Sequence, residues 1–197
     1  MRQQGSGWKR YGRWVGTFIG FPLAGVTARV VAGNIDTASA AAIGGLAGGA
    51  VLGAVQVGIA GIPSGERARW IGGTAAGLAG GLTVGAAAVG FDTNTASLIA
   101  MGAISGAGVG IAQALSVPMG LRDRVLWSLA TPVLWAAGWA ITSQVIVDAD
   151  RQHAVFGASG ALAVSLVTGA LYALRDPSAS ATSAVATVSA SNDLMAA

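Results

Sequence analysis

Residues 70–91 read WIGGTAAGLAGGLTVGAAAVGF, without one ionisable side chain. A bilayer core about 30 Å thick is crossed by about 20 apolar residues in a helix. The stretch therefore predicts a membrane span. A barrel strand fits less well, because the run is long and continuous rather than alternating. Gly73, Gly77, Gly81 and Gly85 recur at every fourth position and share one helix face. Glycine weakens a helix in water. Its abundance at this spacing makes sense where a neighbouring backbone comes close, which is the packing that holds helices together in lipid.

The pattern around Trp70 occurs three times. Arg69-Trp70-Ile71-Gly72 is matched upstream by Arg13-Trp14-Val15-Gly16 and, more loosely, downstream by Arg124-Val125-Leu126-Trp127. After each comes an apolar stretch, a short polar break and a second apolar stretch. The second stretches match as well. Thr37-Ala38-Ser39 returns as Thr95-Ala96-Ser97, Gly44 and Gly48 as Gly102 and Gly106, and Gln56 as Gln113. The third copy is weaker, with Gly157 in place of Gly102 and Thr168 in place of Gln113. Small residues also recur every fourth position in Gly12, Gly16, Gly20 and Ala24, in Gly45, Gly49 and Gly53, and in Gly102, Gly106 and Gly110.

The expected fold is an all-α integral membrane protein. Its six transmembrane helices form three repeated hairpins, glycine-zipper packed about a pseudo-threefold axis. The spans are expected at 14–32, 38–60, 70–91, 96–117, 125–147 and 154–174. A basic cytoplasmic N-terminus (1–13) precedes hairpin one (14–60). A loop (61–69), hairpin two (70–117), a loop (118–124) and hairpin three (125–175) follow. The tail 176–197 is rich in Ser, Ala and Thr and is expected to be disordered, because it has too little bulky apolar surface to bury. Pro22 and Pro132 are expected to kink their helices.

Composition supports embedding. The 197 residues are 53% hydrophobic and only 10% charged, with a mean hydropathy of +0.65. A soluble domain carries about 25% charged residues. The pI of 10.2 does not imply nucleic acid, because the cations follow topology. Arg2, Lys9, Arg10, Arg13, Arg67, Arg69, Arg122, Arg124 and Arg175 fall on one side of the spans. Asp36, Asp92, Asn94, Asp148, Asp150 and Arg151 mark the other. The positive-inside rule places the basic breaks and both termini in the cytoplasm, and an even number of spans agrees. The expected location is the cell membrane, multi-pass. The N-terminus does not read as a cleavable signal, since its basic region is long and no clear small-residue cleavage site follows.

The absence of cysteine excludes disulfides and thiolate chemistry, and a single histidine, His153, excludes a His-cluster metal site. The GxG patterns lie inside spans rather than in a strand–turn–helix, so they are not phosphate loops. The chain carries neither the Pro-x-[Asp/Glu]-x-x-[Lys/Arg] motif of three-repeat mitochondrial carriers nor the Asn-Pro-Ala signature of aquaporins. No catalytic set is visible, and no cofactor is identified.

Several residues are singled out. Trp14, Trp70 and Trp127 are expected as interfacial anchors, where amphipathic rings are favoured. Trp135 and Trp139 lie four apart where the third copy lacks the glycine row. They read as a gap-filling or lipid-facing stripe, or as a face for a partner subunit or hydrophobic cofactor. Arg29, Gln56, Gln113 and Gln144 are the candidates for a polar pathway. Their alternatives are snorkelling or pairing with Asp36 for Arg29 and interhelical hydrogen bonding for the two internal glutamines. His153 is expected to be solvated in its loop. The leading functional expectation is a non-enzymatic scaffold or accessory subunit, partnered by lipid and by other membrane subunits or by itself. The alternative is a small-solute transporter or channel using the axis between the hairpins.

Overall fold

A computed structural model describes residues 4–145 and 155–174. Arg2, Asp148, Asp150, Arg151, His153, Arg175 and the tail 176–197 lie outside the described residues. The first span is α1 (Gln4–Gly16), a 3-10 turn (Thr17–Ile19) and α2 (Gly20–Ala32). The others are α3 (Ala38–Gln56), α4 (Arg67–Ala88), α5 (Thr95–Ser116), α6 (Leu121–Ser143) and α7 (Ala158–Leu174). Five of these six spans are long and apolar enough to cross a membrane, and α7 is a shorter apolar helix.

Local chemistry sets the helix ends. Thr37 caps α3, its hydroxyl accepting from the Ala40 N–H at 3.2 Å. Asn94 caps α5 by accepting from the Ser97 N–H at 2.9 Å, and its own side-chain nitrogen is held by Asp92 at 2.7 Å. Gly90 closes α4 in the left-handed region, with φ of 63°. The Phe91 N–H then reaches back to the Ala86 carbonyl at 2.8 Å, and the Gly90 N–H to that of Ala87. This is the Schellman arrangement, and it ends the helix at Ala88 rather than at 91. The first span breaks where Pro22 deprives it of a backbone donor, and the break takes the form of the 3-10 turn at Thr17–Ile19. α6, by contrast, continues through Pro132.

Neighbouring spans pack in sequence order, and α7 returns against α1, so the spans form a closed ring. Glycines line these contacts repeatedly. A methyl group added at Gly45 or Gly49 would lie 2.7 Å from the Cα of Ala79 or Ala75 on α4. One added at Gly77 would lie 2.6 Å from the Gly108 carbonyl on α5, and one at Gly81 2.8 Å from the Ser105 Cα. Such spacing leaves no room for a side chain, so the backbones themselves touch. Gly12 has open space around it.

Trp135 and Trp139 form neither a lipid-facing stripe nor an outward docking face. Both are buried, filling the groove left by the α5 glycines. A methyl added at Gly106 would meet the Trp135 Cβ at 2.7 Å, and Gly102 faces the Trp139 ring. Phe156 comes in from the segment before α7 and stacks on Phe21 at 4.8 Å and against Trp135 at 5.2 Å. The Gly157 N–H beside it donates to Thr142 Oγ1 at 3.1 Å. The sixth helix therefore begins at Ala158, four residues later than the sequence implies. Large side chains occupy the bundle interior from the tryptophan end to Ile35 and Phe156 at the other end.

Candidate functional site

The most elaborate polar arrangement lies inside the bundle, about one to two helical turns from the starts of α4 and α6. Trp70 Nε1 donates to Gln56 Oε1 at 2.9 Å, and Trp127 Nε1 donates to Gln113 Oε1 at 3.1 Å. Trp14 Nε1 donates to Thr168 Oγ1 at 2.8 Å. Each indole thus bonds to the even-numbered span that precedes its own around the ring, and the last span serves the first. Gln113 Nε2 joins the corners by donating to Gln56 Oε1 and to Thr74 Oγ1, both at 3.0 Å.

The three indoles also touch one another. Centroid distances are 5.2 Å for Trp14–Trp127, 6.1 Å for Trp14–Trp70 and 6.4 Å for Trp70–Trp127. Two of the pairs are edge-on, a geometry that adds about 0.5–1.5 kcal/mol per pair beyond burial. These rings do not face headgroups: Trp14, Trp70 and Trp127 are 2%, 1% and 3% exposed. The interfacial expectation fails because each indole N–H has a buried acceptor within reach, leaving nothing for the headgroup region to satisfy. The exposed tryptophan is Trp8, at 77%, which sits edge-on to Tyr11 at 5.7 Å in the basic first helix.

Of the residues expected in a polar pathway, Gln56 and Gln113 meet inside the bundle. Arg29 and Gln144 are exposed and lie apart from them. Gln56 and Gln113 together serve as hydrogen-bonding partners between spans. Two sets of residues completing the site escape a reading based on tryptophan. Thr17, Thr74 and Thr131 each donate from Oγ1 to the backbone carbonyl of the tryptophan before them, at 2.7, 2.8 and 2.7 Å. Arg10, Arg67 and Arg124 lie seven residues before these threonines, on α1, α4 and α6. Arg10 donates to the Tyr172 carbonyl at 2.7 Å, and Arg67 to that of Ile62 at 3.1 Å. Arg124 Nε is buried without a hydrogen-bond partner among the described residues.

Both sets are spaced by 57 residues throughout. That uniform interval was the available signal, and the tryptophans hide it because Trp14 is one residue out of step. The 3-10 turn explains the slip. It stacks positions i and i+3, so Thr17 reaches the carbonyl three residues back, where Thr74 and Thr131 reach four back. Arg13 has a separate task. Its Nε donates to the Ile59 carbonyl at 2.7 Å, within the π-helical turn Val57–Gly61 that ends the second span. Terminal carbonyls of this kind lack intrahelical partners, and the arginine supplies one.

Chemically the buried belt of tryptophan, glutamine and threonine side chains is a set of neutral donors and acceptors, almost all paired with one another, with the arginines beside it. Among the described residues no group of three or more His, Cys, Asp or Glu side chains is placed to hold a metal ion. No protein-family model, curated protein or solved structure matches the chain.

Proposed function

We propose that the chain is a multi-pass cell-membrane protein built as three copies of one glycine-zipper hairpin about a pseudo-threefold axis, acting without catalysis as a scaffold or accessory subunit of a larger membrane complex. The observation that carries this reading is the filled axis. Trp14, Trp70 and Trp127 close one end against each other, and Phe21, Trp135 and Phe156 interlock beyond them. A transported solute would have to pass where these rings sit. The space beside the glutamines is about 20 Å³, the size of a water molecule rather than of a substrate. The repeat is supported by the cyclic hand-on of indole donors and by the 57-residue spacing of the threonines and arginines. The orientation, with both termini in the cytoplasm, rests on nine of the eleven cations falling on one side.

In this reading lipid surrounds the ring, and the partners are other membrane subunits or further copies of the chain. Purification in mild detergent, with identification of the co-purifying proteins, tests it. The expected result is a stoichiometric complex whose membrane partners survive washing. A solitary monomer that conducts a solute in proteoliposomes would sink the proposal and restore the axial-transport alternative.

A further inference from the structure

We propose that the polar belt holds one structural water molecule at its third corner, between Gln56, Thr17 and Thr168. The two glutamine corners are unequal. Gln113 uses its whole carboxamide: Oε1 accepts from Trp127, and Nε2 donates to Gln56 Oε1 and Thr74 Oγ1. Gln56 Oε1 is used twice, by Trp70 and by Gln113, yet its Nε2 donates to no atom among the described residues. In the pattern set by Gln113, that nitrogen should serve the glutamine-equivalent position of the next corner and the threonine behind it. Those residues are Thr168 and Thr17.

Both line a small cavity of about 20 Å³, as does Gln56 itself. The cavity lies where threonine replaces glutamine, and threonine is shorter by two heavy atoms. A cavity needs about 10–15 Å³ and two to four polar partners to hold a water, so this one holds one water and not two. The Gln56 N–H donates to the water. The water in turn donates to the hydroxyl oxygens of Thr17 and Thr168, whose own protons are committed to the carbonyls of Trp14 and Val164. An amide N–H left dry in an apolar interior would be costly.

The test is X-ray radiolytic footprinting of the full chain in detergent micelles. Hydroxyl radicals born from a bound water oxidise the side chains beside it, even buried ones. Trp14 and Trp127 line the cavity and Trp139 does not, although all three are equally buried. Trp14 and Trp127 are expected to oxidise several-fold faster than Trp139. Thr168→Gln, which replaces the water with an amide, is expected to bring Trp14 down to the Trp139 rate. Equal rates at all three tryptophans in the unmodified protein would overturn the proposal, and this comparison needs no variant to fold. Undiminished Trp14 oxidation in folded T168Q would overturn it as well.

Discussion

Gly77 and Gly80 lie one turn apart on α4 and make opposite predictions for the same substitution. At Gly77 an added methyl would sit 2.6 Å from the Gly108 carbonyl oxygen and 2.9 Å from the Ala112 Cβ. Ordinary contact begins near 3.4 Å, so α4 and α5 must separate by about 0.8 Å. Separation by 0.5–1 Å forfeits roughly a quarter to a half of the dispersion energy at each contact. Gly73, Gly81 and Gly85 lie on the same seam, so the loss is shared along it. Overpacking of this kind costs about 1–3 kcal/mol. At Gly80 an added methyl meets nothing within 4 Å, and alanine gains about 1 kcal/mol of helix propensity in aqueous peptides. Gly77→Ala should therefore destabilise the bundle, while Gly80→Ala should leave it unchanged or more stable. The assay is SDS titration of each variant in mild detergent, followed by near-ultraviolet circular dichroism of the buried tryptophans. Equal effects of the same sign at the two positions would refute the argument that backbone contact, rather than glycine content, holds α4 to α5.

Other outcomes follow from the belt and the helix ends. Gln113→Leu removes three hydrogen bonds, worth about 0.6 kcal/mol each between membrane helices. It also strands the Trp127 N–H at about 1–3 kcal/mol, so the same titration should show a loss of about 3–5 kcal/mol. Aqueous iodide should quench only the Trp8 fraction of the emission, and Trp8→Phe should abolish that fraction. Quenching that survives the change would mean that the belt tryptophans reach water. Arg13→Ala frees the Ile59 carbonyl at the π turn and should cost about 1 kcal/mol while speeding amide hydrogen exchange at Val57–Gly61.

The helical, membrane-length character of the chain was legible in runs such as 70–91, because the absence of charge over such a length has few other physical solutions. The glycines were legible too: the rows on α3, α4 and α5 meet a neighbouring backbone or a bulky filler. Burial of the tryptophans was not. Tryptophan beside arginine at a span end fits a headgroup anchor as well as an internal donor, and only its acceptor decides. That acceptor, on the preceding span, is named by tertiary pairing and not by local pattern. Of the readings offered for Trp135 and Trp139, the gap-filling one holds, and the lipid-facing and partner-face ones do not. Missing glycine in one helix reads as a change of surface, when here it complements the excess of glycine in the helix beside it. The α7 start was lost because Phe156 is as apolar as a span residue but serves as a plug.

The donor pattern of the belt also has a temporal side. Trp70–Gln56 and Trp127–Gln113 each join residues 14 apart in the chain, whereas Trp14–Thr168 joins residues 154 apart. The first two latches can close as soon as a third or a fifth span enters the bilayer. The remaining one must wait for α7, leaving the Trp14 indole without this acceptor until then. Synthesis that stops before Thr168 yields an open arc of spans with an unmatched donor at its leading edge. The Trp14–Thr168 bond is thus the contact that turns an open arc of spans into a closed ring.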